Sequence, residues 1–269
     1  MAAGTRAVNA RGLRSTAPLG ASLGKVPKVT LWFWIIKIAA TTLGETGGDA
    51  VTMSMGLGYG VGTAIFASIF VVAVAAQVAA RRFHPFLFWA VIIATTTVGT
   101  TLADLVDRSM GIGYLGGATI LAVLLVATLA LWQRSLGSVS VEAIRSRRAE
   151  IFYWATIMSS QTLGTALGDW LADSGNGLGL GYEGAALVFG IALALVAAAY
   201  FWTRISRTVL FWVAFVLSRP LGATVGDLFD KPRASGGLEW SRYTASAALL
   251  ACIVACIVFL PQRAEGTRP

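Results

Sequence analysis

Four times in this chain a glycine is followed five residues later by an aspartate, each time within a stretch apolar enough to enter a membrane. The four cassettes read T-L-G-E-T-G-G-D at Thr42 to Asp49, T-V-G-T-T-L-A-D at Thr97 to Asp104, T-L-G-T-A-L-G-D at Thr162 to Asp169, and P-L-G-A-T-V-G-D at Pro220 to Asp227. Their glycines, Gly44, Gly99, Gly164 and Gly222, recur at intervals of 55 to 65 residues, the signature of an internal repeat. A charged group near the bilayer centre costs about 2.5–3.5 kcal/mol on insertion scales, so it faces a bundle interior or a water-filled path. Any fold open to this chain must therefore bring the four aspartates to each other or to water.

The first cassette extends the polar pattern backwards. Lys37, Thr41, Glu45 and Asp49 recur every four residues and form one stripe on a helix face. The stripes Thr96/Thr100/Asp104, Gln161/Thr165/Asp169 and Arg219/Ala223/Asp227 correspond to Thr41/Glu45/Asp49. The rest of each segment is apolar, in a chain that is 56% hydrophobic and 13% charged with mean hydropathy +0.72. That composition places it in the membrane class. With about 20 residues needed per span, the pattern predicts eight spans, at 31–53, 60–80, 85–107, 114–134, 150–172, 183–203, 208–230 and 241–261.

The expected fold is an all-α integral membrane protein whose eight transmembrane helices form four tandem two-helix repeats, at about 31–82, 83–134, 149–203 and 207–262, in a pseudo-symmetric bundle. Each repeat crosses twice, so successive repeats share one orientation, unlike inverted-repeat transporters. The cassette helices are expected to be the inner ones, meeting at one polar cavity that opens outward. Residues 1–30 read as a disordered basic arm and 263–269 as a tail. Ser218-Arg219-Pro220 is expected to interrupt the seventh helix, because proline removes a backbone hydrogen bond.

Net charge is +8, but its placement says more than its sum. Fifteen of the twenty-one basic residues fall on the side of the termini in the eight-span arrangement, against Arg108, Lys231, Arg233 and Arg242 on the other. This bias puts both termini in the cytoplasm and accounts for the basic excess through topology and anionic lipid. The lipid bilayer is thus the expected partner, and nucleic acid is not. Oligomeric state is not readable.

The intramembrane ionisable groups are Glu45, Asp49, Asp104, Asp169 and Asp227 against Lys37 and Arg219. The negative excess favours a small cation at the bundle axis. Carboxylates with the hydroxyls of Thr41, Thr100 and Thr165 and the amide of Gln161 are hard oxygen ligands, suited to magnesium, manganese or calcium. Glu45 and Asp49 are the principal metal-ligand candidates, with Lys37 and Arg219 as counter-charges and Arg219 expected to pair with Glu45 or Asp49. The cassette glycines suit close helix packing. Cys252 and Cys256 lie one turn apart in the last span and read as packing residues. His84 reads as a loop residue. The run Gly175 to Tyr182 lacks the Lys-Ser/Thr of a phosphate loop and reads as a turn. No nucleophile, base and orienter stand together, so no enzyme and no cofactor is expected.

The glycine and aspartate repetition, with G-E-T-x-x-D in the first copy, resembles bacterial membrane-anchored proteins built from a repeat of unknown function, usually four copies of two helices. The resemblance covers about residues 30–262 and implies the same eight-helix organisation and an inner-membrane location. Glu45 is replaced by Thr100, Thr165 and Ala223 in the later copies, so the acidic pair is complete only in the first. Two functions follow from the residues: a transporter or exporter of a hard divalent cation such as manganese or magnesium, with proton coupling available on the carboxylates, or a membrane scaffold whose charges only stabilise packing.

The charge bias makes topology testable. A cytoplasmic reporter fused after Arg148 is expected to be active, and one fused after Gly237 inactive. Activity at the second position would mean a miscounted span.

Overall fold

The computed structural model describes residues 24–144 and 146–265. Eight long helices follow in order: α1 Leu31–Asp49, α2 Gly58–Ala79, α3 Pro85–Asp104, α4 Tyr114–Leu136, α5 Arg147–Ala172, α6 Gly181–Trp202, α7 Arg207–Asp230 and α8 Arg242–Phe259. The described residues contain no strand beyond an isolated bridge, Pro27 with Ala264. Helix starts follow local chemistry. The Thr30 hydroxyl accepts from Phe33 N–H at 3.3 Å, and that of Ser146 from Ala149 N–H at 3.2 Å, as N-caps do. Pro85 occupies the first turn of α3, where its missing N–H costs nothing. Gly56, Gly58, Gly111, Gly113, Gly179 and Gly181 take left-handed φ values in the turns that end the first three cassette helices, which confirms the turn role of the glycine-rich loops.

Six helices are long and apolar enough to cross a membrane: α2, α3 with its extension to Ser109, α4, α6, α7 and α8. The other two, α1 and α5, are interrupted by polar residues. Lys37, Glu45 and Asp49 lie in α1, while α5 carries Ser159, Ser160, Gln161 and Thr162 in its middle.

The cassette helices α1, α3, α5 and α7 pack as a closed ring, α1 on α3, α3 on α5, α5 on α7 and α7 on α1. The seams are made at the cassette glycines, in cyclic order. A Cβ added to Gly44 would lie 2.4 Å from Thr96 Cγ2; at Gly99, 3.0 Å from Gln161 Cβ; at Gly164, 2.3 Å from Arg219 Cγ; and at Gly222, 2.0 Å from Thr41 Oγ1. Each repeat's first stripe residue thus occupies the space its neighbour's glycine leaves open. One turn on, Gly226 meets Glu45 and Gly48 meets Thr100 in the same sense, so all four inner helices run parallel.

The remaining helices form an outer layer, each seated mainly on the next repeat's inner helix: α2 on α3, α4 on α5, α6 on α7 and α8 on α1. Their apolar windows are only 11–22% buried, against 72% and 61% for α3 and α7. Inner cassette helices and outer apolar ones are the expected arrangement.

Near the end where α1 begins, the ring is filled by aromatic side chains. Phe33, Trp89, Trp154, Tyr153, Trp212 and Phe215 belong to one buried cluster. They come largely from aromatic-Trp dipeptides at Phe33-Trp34, Phe88-Trp89, Tyr153-Trp154 and Phe211-Trp212, each eleven and ten residues before its cassette glycine. This second repeat signature closes one end of the ring.

Two expectations are corrected. The fourth cassette does not break its helix: α7 is continuous through Pro220, with Ser218, Arg219 and Pro220 all buried between α1 and α5. Pro220 stands where Thr42, Thr97 and Thr162 return a hydroxyl to the carbonyl four residues back, and packing on both flanks holds the turn. Within the expected disordered arm, residues 24–30 are ordered. Lys28 N–H donates to Arg263 O at 2.8 Å and Glu265 N–H to Val26 O at 2.8 Å, while Lys25 reaches Glu150 at 2.9 Å and Val78 O at 3.0 Å. Residues 1–23 and 266–269, the rest of the expected arm and tail, lie outside the described residues.

The glycine seams set a stability contrast. Gly222→Ala should destabilise by about 1–3 kcal/mol, the usual cost of overpacking, because its Cβ meets the Cβ of Thr41 and the backbone N of Thr42. Gly190→Ala on α6, with nothing within 4 Å of the new Cβ, should leave the thermal midpoint in detergent unchanged or raised.

Candidate functional site

The ring stacks the stripes into three polar layers. Thr41, Thr96, Gln161 and Arg219 form the first, Glu45, Thr100, Thr165 and Ala223 the second, and Asp49, Asp104, Asp169 and Asp227 the third, with none of the twelve more than 5% exposed. The twelve stripe residues thus converge on one axis, with Lys37 apart from them.

Arg219 links the first two layers. Its Nη2 lies 3.0 Å from Glu45 Oε2 and donates to the hydroxyls of Thr100 and Thr165, each at 2.6 Å. Thr100 also donates to Glu45 Oε2 at 3.2 Å. One guanidinium therefore draws in residues from all four repeats, since its own Cβ and Cγ fill the gap at Gly164. Glu45 is the partner it takes of the two expected. In the same region Gln161 Nε2 and Oε1, Thr96 Oγ1 and Arg219 Nε and Nη1 are buried without a protein hydrogen-bond partner.

Two cations that lie just outside the expected spans, Arg108 and Lys231, organise the third layer. Arg108 bridges Asp104 at 2.9 Å and Asp169 at 3.2 Å. Lys231 contacts Asp49 and lies 2.9 Å from Asp227. Arg242 adds Asp230 at 2.9 Å. Burial opposes the Lys231 charge, but Asp227, Asp49 and Asp230 outweigh it and hold its ammonium protonated well above the ordinary lysine range. The expected excess of five acids over two bases is corrected accordingly. Arg108 and Lys231 stand among the four aspartates at that end of the ring, each between two of them. The bases come from repeats two and four, four residues after the cassette aspartate, and each reaches the next repeat. Side-chain chemistry therefore follows a twofold, not a fourfold, pattern. The sequence signal is a base four residues after the cassette aspartate, just past the expected spans that end at 107 and 230.

Lys37 departs from its expected role as counter-charge. It is fully buried, donates to Ser218 Oγ at 3.3 Å and lies 4.3 Å from the centre of the Phe215 ring; no ion pair of the described residues includes it. Asp107, not singled out from sequence, is 6% exposed with neither oxygen hydrogen-bonded, against Gly117 of α4. Cys252 and Cys256 are free thiols on α8.

Glu45, Asp49 and Asp227 each offer a carboxylate oxygen within 4.8 Å of the others. Three hard anionic ligands at that spacing fit magnesium or manganese. The Lys231 ammonium occupies the same electrostatic niche, with Asp49 and Asp227 as partners.

A family model described as a Repeat of Unknown Function (DUF347) matches four times, over residues 32–83, 87–137, 152–206 and 210–263. These are the four structural repeats. No curated protein and no solved structure matches the chain.

The Glu45 to Arg219 link yields a double-mutant test. Arg219→Met should destabilise by about 3–5 kcal/mol, because it strands a buried carboxylate. Adding Glu45→Gln should recover part of that loss, as read by thermal unfolding in detergent; additive losses would mean the pair is not coupled.

Proposed function

Since the chain belongs to the family defined by the Repeat of Unknown Function (DUF347), we propose from its own geometry that it is a cation transporter or exporter, with all eight helices spanning the cytoplasmic membrane and both termini on the cytoplasmic side. The observation that carries this reading is the group of buried carboxylates, Glu45, Asp49 and Asp227, with oxygens within 4.8 Å of one another at the centre of the repeat ring. Charges sealed inside a bundle are costly and mark ion pathways. The polar helices α1 and α5 take part as spans because the ring covers their stripes.

Lys231 supplies the switching element in this proposal. It follows the last residue of α7 and leads into the connection to α8, so its ammonium can leave the layer without unwinding an inner helix. Its departure would leave Asp49 and Asp227, with Glu45 one turn deeper, as a site for magnesium or manganese. Its return would displace the cation. The same carboxylates take up protons when stripped of both, which offers proton exchange as the counter-movement. The unpartnered polar atoms of Gln161, Thr96 and Arg219 continue the polar lining inward.

A second reading, a membrane scaffold or assembly partner, rests on a different observation. Glu45, Asp49, Asp104, Asp169, Asp227 and Asp230 each lie within ion-pair distance of an Arg or Lys. Acids paired in this way need no substrate.

A metal-sensitivity panel separates the two. A deletion strain complemented with the wild-type chain should differ in tolerance of manganese or magnesium from one carrying Asp49→Asn at equal membrane abundance. Equal growth of deletion, wild type and variant on every cation removes transport and leaves the scaffold.

A further inference from the structure

A cavity of about 950 Å³ opens between α1, α6 and α7 at the end where Pro27 pairs with Ala264. It lies outside the polar layers, and nothing in the proposed transport uses it. Its wall is apolar, with Trp34, Ile38, Leu193, Ala197, Phe211 and Ala214. Its mouth is charged in an unusual way. Lys28 and Arg207 stand there with Glu142 and Glu265, two of each sign, and none of the four takes part in an ion pair of the described residues. The one side-chain bond among them is from Arg207 to the backbone carbonyl of Tyr200. Tyr200, Phe201 and Trp202 are 49%, 76% and 85% exposed at the end of α6, and such aromatics sit at headgroup level. The mouth is therefore at the membrane interface and the apolar wall at the depth of the acyl chains.

We propose that this groove is a phospholipid site selective for phosphatidylethanolamine. The acyl chains line Leu193, Ala197 and Ala214, the phosphate lies between Lys28 and Arg207, and the primary ammonium donates to Glu142 and Glu265. Two features select this occupant. A headgroup carrying both signs satisfies both pairs at the mouth, whereas an anionic headgroup leaves the two glutamates facing added negative charge. A primary ammonium has three N–H donors for carboxylates, and charge-assisted bonds of this kind are the strong ones; a choline headgroup has none. The volume is at the upper end of those that take small molecules. The floor includes Ser218, whose hydroxyl accepts from Lys37, so an occupant touches the residue next to Arg219.

The test uses the full chain, delipidated in detergent and titrated with phosphatidylethanolamine, phosphatidylcholine or phosphatidylglycerol, with bound lipid counted by native mass spectrometry. Phosphatidylethanolamine should bind at least about tenfold more tightly than the other two, the loss expected for one charge-assisted bond. Glu142→Gln with Glu265→Gln should abolish or reverse the preference over phosphatidylglycerol. Ala197→Trp, which fills the groove, should remove binding of all three while the protein stays monodisperse. Equal binding of the three lipids to the wild type, or unchanged phosphatidylethanolamine binding in either variant, overturns the proposal. Because no polar-layer residue is altered, metal tolerance in the panel above is a separate readout.

Discussion

A carboxylate has no place in hydrocarbon, and this chain carries one at the same position of each of four repeats. The architecture is the geometric answer. Four parallel helices can hide four stripes at once only if they close on themselves, and they can approach closely enough only where one helix lacks a side chain. Gly44, Gly99, Gly164 and Gly222 supply those gaps, and the first stripe residue of the neighbouring repeat fills each one. Glycine and aspartate in the cassette are therefore two halves of one requirement. One admits the neighbour, and the other makes its presence necessary.

Within that ring the repeats are alike in backbone and unlike in charge. Arg219 sits where Thr41, Thr96 and Gln161 sit in the other copies, and its guanidinium pulls Glu45, Thr100 and Thr165 into one cluster. At the aspartate layer, Arg108 joins repeats two and three and Lys231 joins repeats four and one. Each base thus stitches one half of the chain to the other. A half taken alone lacks a cation for one of its two aspartates, so the halves complement each other as two subunits of an isologous dimer do.

The cassette, the stripes, their inward orientation and a pairing of Arg219 with one of Glu45 and Asp49 are legible because they follow from periodicity and from the cost of charge in lipid; which of the two acids it takes is not. Other features were not, for physical reasons. The third span expected from sequence ends at 107 and leaves Arg108 outside it, yet the chain stays helical through a π-type turn over Leu105–Ser109, which keeps Arg108 on the face of Asp104. Lys231 lies one residue past α7 and was read the same way. Pro220 suggested a break because proline's local cost is easily read, whereas burial between α1 and α5 depends on residues far away in sequence. The aromatic-Trp dipeptides were in plain view and periodic, but apolar residues in an apolar segment do not stand out until a structure shows four of them meeting. Lys37, with Ser218 and Phe215 in place of a carboxylate, could not be paired from sequence because its register against α7 was not fixed.

The outer layer bears on how such a chain is made. Each outer helix rests on the inner helix of the following repeat, and the last, α8, rests on the first, α1. Synthesis proceeds from the N-terminus, so α1, with Lys37, Glu45 and Asp49, leaves the ribosome first and meets its two final neighbours, α7 and α8, last. A helix with three buried charged residues must therefore remain without part of its permanent cover until nearly the whole chain has been synthesised. Completion of the circle, more than insertion of any single helix, becomes the event that commits the protein to its folded state.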